Sequence, residues 1–271
     1  MNKYLMPLLA LFLPLTVQAE SEQPPNIVFV LFDDMGYGQP PSYRKESTFK
    51  TPNIDRLTKR GMLFTDAHSA AASCTPTRYG ILTGRYPSRI GQFSVLNTYS
   101  PPIIPQTRLT VASFLKKQGY HTACIGKWHL GMNWIGGKRA KAEQLPIAHR
   151  MTGGPNALGF DYFYGFTHAR NIETIIEQDK VVAHVKGVDN QPLMIKKAIE
   201  YIGERSTKKK PFFLYFPMCP PHKPVVPALR LLARAGGPER EPMEIGSIKG
   251  IICWDKSWMN SKKPGRTKTH F

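Results

Sequence analysis

Residues 73–85 read SCTPTRYGILTGR and contain the residue types that nucleophilic chemistry on an anionic group requires. Pro76 fits the first turn of a helix, where its missing N–H group does no harm. Cys74 would then lie at the positive end of the helix dipole, with Arg78 one turn further along the same face. Because both features stabilise a developing anion, this helix start predicts a reactive site. A buried structural cysteine is the alternative interpretation.

Two adjacent carboxylates, Asp33 and Asp34, follow the apolar run NIVFVLF at 26–32. A short, continuous apolar run of this kind predicts a strand buried on both faces. Open α/β sheets place their ligands at the carboxyl ends of such strands. Since carboxylate oxygens suit calcium or magnesium, the pair is a candidate metal site, with a solvated turn as the alternative.

Basic and titratable groups follow two further predicted strands. Lys127 and His129 come after a strand at 122–125, and an extended backbone would point both side chains the same way. They would bring a cation and a titratable imidazole to one site. His222 lies in the proline-fixed loop PPHKP, just after the apolar strand 211–217. We therefore expect His222 to join the same site.

The elements that position these groups alternate between strands and helices, which predicts an α/β fold. We expect helices at about 52–60, from 74 onward, at Leu109–Gln118 and at Met194–Glu204, and a short strand at Met62–Thr65. In a parallel sheet the carboxyl ends of the strands share one edge. The candidate residues should therefore converge there, beside the helix that starts at Cys74.

These motifs, in this order, resemble those of the type I sulfatases, the formylglycine-dependent hydrolases of the alkaline phosphatase superfamily. Residues 74–78, with LTGR at 82–85, fill every fixed position of the first sulfatase signature, and residues 119–129, which end in GKWH, are similar to the second. The resemblance runs from about Asn26 to Pro227. It implies an alkaline-phosphatase-like mixed sheet sandwiched by helices, incomplete at its C-terminal side.

The resemblance also implies a mechanism for sulfate ester hydrolysis. A formylglycine-generating maturation enzyme would oxidise Cys74 to formylglycine, whose hydrate attacks the sulfur of the ester. Asp33, Asp34 and residue 74 would bind Ca²⁺, with Mg²⁺ as the other candidate. Arg78 and Lys127 would hold the oxygens of the diol and the sulfate.

Two histidines complete the implied site. His129 would take a proton from the second hydroxyl, and His222 would bind sulfate and help to protonate the leaving alcohol. The substrate would be a sulfated small molecule or a sulfated polysaccharide. Two alternatives remain open: a phosphate or phosphonate ester hydrolase with the same nucleophile, and a non-catalytic secreted protein that binds sulfated polyanions.

The composition is that of an ordinary globular protein, but its charge is not. The 271 residues are 41% hydrophobic and 21% charged, with a formal net charge of +18 and a pI near 9.8. Such a surface attracts polyanions. The lysines and arginines are scattered and form no basic stripe with interleaved aromatic residues, so we expect no nucleic-acid partner.

The two ends of the sequence differ from the segment between them. Lys3, the apolar run 5–15 and a small-residue cleavage site at Ala19 predict a signal peptide at 1–19, too short for a stable membrane span, and hence a secreted or periplasmic protein. Residues 20–227 would form the N-terminal part of the catalytic domain. The basic tail 228–271 lacks the Asp-Asn-Gly strand and the later lysine that the resemblance implies, so we expect slow or undetectable hydrolysis.

Overall fold

The structure, a computed structural model, describes residues 23–136, 142 and 145–223. Its eight strands are β1 (Ile27–Asp33), β2 (His121–Lys127), β3 (Asn133–Trp134), β4 (Met151–Thr152), β5 (Tyr162–Phe166), β6 (Thr174–Glu177), β7 (Lys180–His184) and β8 (Phe212–Pro221). Six of them form one sheet in the order β1-β8-β2-β5-β6-β7, and β3 pairs with β4. The first four strands in this order are parallel, whereas β6 and β7 are antiparallel to their neighbours.

Four α-helices accompany the sheet in the described ranges: α1 (Pro52–Arg60), α2 (Cys74–Thr83), α3 (Val111–Lys117) and α4 (Gly187–Ser206). Their ends follow local sequence signals. Pro52 opens α1, Thr110 and Ser113 form a capping box at the start of α3, and Gly84 ends α2 in the left-handed conformation with φ 65°. The predicted helix starts near 52 and at Cys74 are confirmed, while α4 begins earlier than the predicted Met194.

The sheet carries a hydrophobic core on each face. Tyr79, Leu82 and Ala112 bring α2 and α3 onto one face. Met194 and Ala198 bring α4 onto the other. Successive strand residues alternate between the two cores, as the two-residue period of a strand requires. The expected mixed sheet sandwiched by helices is therefore confirmed.

Two glycines allow the central strands to approach each other at the end nearest the site. Gly126 and Gly165 are paired in the register of β2 and β5. A Cβ atom on Gly165 would lie 2.0 Å from the carbonyl oxygen of Gly126, and one on Gly126 would lie 2.1 Å from that of Pro217. Gly126 also has φ +127°, a conformation that side chains disfavour.

Some local expectations are wrong. Met62–Thr65 form no strand, and Met62 and Phe64 are 75% and 57% exposed. Without a partner strand, an apolar run of four residues does not stay extended in a sheet. β1 is not buried on both faces, because it is an edge strand in the described part of the sheet and Phe29 is 40% exposed.

The signal peptide expected at 1–19 and the tail expected at 228–271 lie outside the described residues. Within the described ranges, no helix combines the length and the apolar character that crossing a membrane would need.

Candidate active site

The expected convergence at one edge of the sheet occurs. Asp33 ends β1, Lys127 ends β2, His222 directly follows β8, and Cys74 is the first residue of α2. Because β1, β8 and β2 are adjacent and parallel, their carboxyl ends lie side by side. The topology therefore brings a carboxylate, a cation, an imidazole and a thiol to one place.

A buried ion cluster, formed by Asp33, Arg78 and Lys127, is the centre of this site. Oδ1 of Asp33 accepts a hydrogen bond from Nη2 of Arg78 at 3.1 Å, and Oδ2 accepts one from Nζ of Lys127. Nη1 of Arg78 also donates to the carbonyl oxygen of Lys127 at 3.0 Å. The exposed fractions are 3% for Asp33, 1% for Arg78 and 0% for Lys127.

The ion cluster contains two cations and one carboxylate, so it carries one excess positive charge away from water. Burial alone would raise the pKa of Asp33, but Arg78 and Lys127 outweigh it and hold that pKa below its usual value. Asp33 is therefore ionised, and the excess positive charge persists at neutral pH. Such a site favours an anion.

Cys74 borders the ion cluster. Its Sγ lies 3.3 Å from Oδ1 of Asp33, to which the thiol donates, and 3.4 Å from Nζ of Lys127. Burial is the largest influence on the thiol and raises its pKa, despite the opposing effect of Lys127. The thiol is therefore protonated at neutral pH, which makes it a poor nucleophile.

Asp34 and His222 lie at the open side of the site. The backbone of Asp34 is left-handed, with φ 65°, and its side chain is 57% exposed. Oδ2 of Asp34 lies 3.6 Å from Nε2 of His222. Nδ1 of His222 donates to the carbonyl oxygen of Lys223, which leaves Nε2 on the side of Asp34.

The donor set fits a hard cation through its oxygens. Ligand atoms of Asp33, Cys74 and His222 all lie within 4.8 Å of one another, and Asp34 adds a second carboxylate beside His222. Calcium and magnesium take oxygen ligands, so the two carboxylates suit them and the sulfur of Cys74 does not. An oxygen at position 74 would complete the donor set better than the thiol.

His129 does not follow the expected extended path. β2 ends at Lys127, and His129 has a left-handed backbone with φ 57°. Its ring donates from Nε2 to the carbonyl oxygen of Leu96 at 2.9 Å, and its backbone carbonyl oxygen accepts a hydrogen bond from Oγ1 of Thr75 at 2.9 Å. Burial, and next the charge of Lys127, lower the pKa of His129 to about 3, so the ring is neutral.

A second buried histidine, His168, lies beside His129. The two ring centroids are 5.2 Å apart. Nδ1 of His168 accepts from the backbone N–H of Arg170 at 3.0 Å, so the proton of the neutral ring is on Nε2 and is shared with Thr98 Oγ1 at 2.8 Å. Burial, followed by the charge of Arg170, lowers the pKa of His168 to about 4.

Sequence reasoning missed the supports of His129. Thr75 occupies a position between the fixed residues of the motif, and Leu96 acts through its backbone, which no side-chain pattern reveals. Thr98 has no motif around it. Of these three residues, only Thr75 stands where the sequence itself suggests a role. It follows a candidate nucleophile directly, and a hydroxyl buried there must find hydrogen-bond partners.

Comparisons with known proteins identify the family of this chain. The family described as Sulfatase matches residues 25–235. Steryl-sulfatase from Homo sapiens is 39% identical over 175 residues, covering 62% of this chain and 28% of that protein. N-acetylgalactosamine-6-sulfatase from Rattus norvegicus is 31% identical over 241 residues, covering 79% of this chain and 43% of that protein.

Solved structures show the same fold. A structure from work on the metabolism of multiple glycosaminoglycans by Bacteroides thetaiotaomicron has a TM-score of 0.76 and 26% identity, covering 88% of this chain and 60% of that one. A putative sulfatase from Bacteroides fragilis has a TM-score of 0.63 and 25% identity, covering 89% of this chain and 58% of that one. The chain thus spans less than half of the two curated relatives, at 28% and 43% of their lengths. On the match to residues 25–235, the chain belongs to the sulfatase family.

Proposed function

We propose that this site hydrolyses sulfate esters, through an aldehyde formed from Cys74. The observation that carries the proposal is the buried ion cluster, which has one excess positive charge and whose Lys127 Nζ lies 3.4 Å from Cys74 Sγ. A sulfate ester is an anion, and a preorganised pair of cations in a dry site stabilises the negative charge that grows on its oxygens during attack. Arg78 and Lys127 are the groups that would do so.

The thiol of Cys74 is not the nucleophile in this proposal. Its pKa is raised by burial, so the thiolate needed for attack is scarce. Formylglycine at position 74 would supply, as its hydrate, a hydroxyl nucleophile for the sulfur. A formylglycine-generating maturation enzyme is therefore the partner that the proposal requires.

The carboxylates Asp33 and Asp34, with an oxygen at position 74, would hold Ca²⁺ or, as the other candidate, Mg²⁺. The cation would supply charge compensation next to the reacting oxygens. Asp33 has a second role, because it keeps Lys127 and Arg78 at fixed positions through the bonds to both of its oxygens.

Two histidines would move the protons. His129 is neutral and its Nε2 is occupied by Leu96, so Nδ1 is the atom that can accept a proton. His222 would bind a sulfate oxygen and protonate the leaving alcohol from Nε2, the nitrogen that faces Asp34.

The names of two relatives support a proposal about the substrate class. Those relatives are named for N-acetylgalactosamine 6-sulfate and for steryl sulfate, a sugar and a small apolar alcohol. We propose a sulfated small molecule or a sulfated polysaccharide for this chain, whose net charge of +18 favours the polyanion. We also propose that residues 20–227 are the N-terminal part of the catalytic domain and that the protein is exported.

The test begins with the maturation of position 74. The full chain is produced together with a formylglycine-generating enzyme, and peptide mass spectrometry measures the fraction of position 74 converted to aldehyde. Turnover of an aryl sulfate is then measured with calcium, with a chelator, and for a Cys74→Ala control. We expect slow calcium-dependent turnover that the control lacks.

Three results would contradict the proposal. The first is a converted, calcium-loaded protein no more active than Cys74→Ala. The second is faster turnover of an aryl phosphate, which would favour a phosphate ester hydrolase. The third is salt-sensitive binding of a sulfated polysaccharide without any turnover, which would favour a non-catalytic binding protein.

A further inference from the structure

We propose that Thr75 is a positioning residue, which holds the imidazole of His129 in the tautomer that carries its proton on Nε2. Nδ1 is then the unprotonated nitrogen that can accept a proton. The inference rests on the proposed function for its catalytic meaning, but its structural content can be measured without turnover.

A closed ring of three hydrogen bonds carries the inference. Oγ1 of Thr75 donates to the carbonyl oxygen of His129 at 2.9 Å. Nε2 of His129 donates to the carbonyl oxygen of Leu96 at 2.9 Å. The backbone N–H of Leu96 donates back to Oγ1 of Thr75 at 3.1 Å. Each of the three residues therefore gives one hydrogen bond and receives one.

The direction of every bond in the ring is fixed by the groups themselves. Carbonyl oxygens only accept and the backbone N–H only donates, so the hydroxyl proton of Thr75 must point at His129. For the same reason Nε2 of His129 must be protonated. The tautomer is thus a consequence of the partners, and Thr75 closes the ring because its hydroxyl both donates and accepts.

Thr75 also joins the nucleophile position to the histidine. It is the residue after Cys74 in the first turn of α2 and is fully buried, with an exposed fraction of 0%. Thr75 holds the backbone of His129, which is left-handed with φ 57°. The backbone N–H of His129 also donates to the carbonyl oxygen of Thr167 at 2.7 Å. A conformation that is uncommon for a histidine persists only when its surroundings hold it from several sides.

The other ring nitrogen is left available. Nδ1 of His129 is buried and has no hydrogen-bond partner among the residues that the structure describes. A cavity of about 10 Å³ is lined in part by His129, Thr98 and His168 and has room for about one water molecule. An unprotonated Nδ1 in this position can accept a proton from water or from a hydroxyl group.

The experiment compares three threonine variants with the unaltered chain. Thr75→Val removes the hydroxyl and keeps the shape, Thr75→Ser keeps the hydroxyl, and Thr110→Val is the matched control. Thr110 is also buried, donates to the carbonyl oxygen of Leu158 at 2.6 Å and accepts from the backbone N–H of Ser113 at 3.0 Å, at the start of α3. Thr75→Val and Thr110→Val therefore lose the same kinds of hydrogen bond.

The first measurement is nitrogen NMR of labelled histidine, with the His129 signals assigned by a His129→Gln variant. In the unaltered chain and in Thr75→Ser we expect a protonated Nε2 and an unprotonated Nδ1. In Thr75→Val we expect the two tautomers to mix, and in Thr110→Val we expect the signals to stay unchanged. A protonated Nδ1 in the unaltered chain overturns the inference, whether or not Thr75→Val folds.

The second measurement is aryl sulfate turnover, corrected for the fraction of position 74 converted to aldehyde. Because a positioned base supplies about 10²–10⁴-fold in rate, we expect Thr75→Val to lower kcat by about tenfold or more, with KM little changed and with recovery in Thr75→Ser. A loss of the same size in Thr110→Val, or equal kcat in Thr75→Val and the unaltered chain, overturns the inference. If no form of the protein turns over sulfate, the proposed function fails, and the NMR result still decides the tautomer.

Discussion

The buried ion cluster makes an asymmetric prediction about stability. Asp33→Asn and Lys127→Met each delete the same ion pair, yet they leave different charges behind. After Asp33→Asn, Arg78 and Lys127 remain as two cations that are 1% and 0% exposed, with no carboxylate between them. After Lys127→Met, Asp33 keeps its hydrogen bond to Arg78, and the remaining pair is neutral.

The magnitudes follow from this difference. Removing the only counter-charge of a buried group typically costs about 3–5 kcal/mol, which we expect for Asp33→Asn. Lys127→Met loses one charge-assisted hydrogen bond but also removes the desolvation cost of a fully buried ammonium, so we expect about 1–2 kcal/mol. For a domain of this size the larger loss corresponds to a fall in Tm of about 6–20 °C.

Urea unfolding at pH 7.5 in the presence of a chelator measures both variants without a contribution from bound cations. Similar m-values would show that the two variants unfold the same surface. The pKa of Asp33 is lowered in the folded state. Ionised Asp33 therefore contributes to the free energy of unfolding above the ordinary pKa of 3.8, and this contribution is lost as the pH falls through the folded pKa. Equal losses for the two variants, or a larger loss for Lys127→Met, would refute the reasoning.

Two further predictions concern pH and a glycine. In the folded state the pKa values of His129 and His168 are about 3 and about 4, against an ordinary value of 6.5. The two neutral rings therefore contribute fully to the free energy of unfolding above about pH 6.5, and this contribution is lost as the pH falls below that value. We expect the free energy of unfolding to fall by about 2–4 kcal/mol from pH 7.5 to 5, and a His129→Gln, His168→Gln variant with the same pH dependence would contradict this. Gly126→Ala should cost about 3 kcal/mol or more, because its Cβ would lie 2.1 Å from a carbonyl oxygen at φ +127°. Gly203→Ala, in α4 with nothing within 4 Å, should stabilise by about 0.5–1 kcal/mol, and equal thermal shifts for the two variants would count against the clash.

The edge of the sheet at which the site forms could be predicted because its causes are local in sequence. Apolar runs predict β1, β2 and β8, and each run is followed closely along the chain by its polar residue. Parallel pairing then brings Asp33, Lys127 and His222 together without any knowledge of side-chain packing. The start of α2 could be predicted for a similar reason, since Pro76 in a first turn fixes where Cys74 lies.

The remaining geometry depends on contacts that leave no pattern in the sequence. Leu96 holds His129 through its carbonyl group, 33 residues away in the chain, and its side chain has no part in that bond. The left-handed backbone of His129 replaces the extended path that a two-residue spacing suggested. The strands β6 and β7 are short and carry polar residues at their ends, so no apolar run marked them.

Stability and function are linked through the excess charge of the ion cluster. Asp33 lowers the cost of burying Arg78 and Lys127, but one carboxylate cannot neutralise two cations. In the proposed function, an anion that enters beside Cys74 would relieve the repulsion that remains. Part of its binding free energy would then come from cations that folding has already removed from water. A second carboxylate in direct contact with both cations would stabilise the fold further and would weaken the attraction for a sulfate group. A single buried carboxylate therefore keeps the cations in place and, in the proposed function, would leave them able to bind an anion.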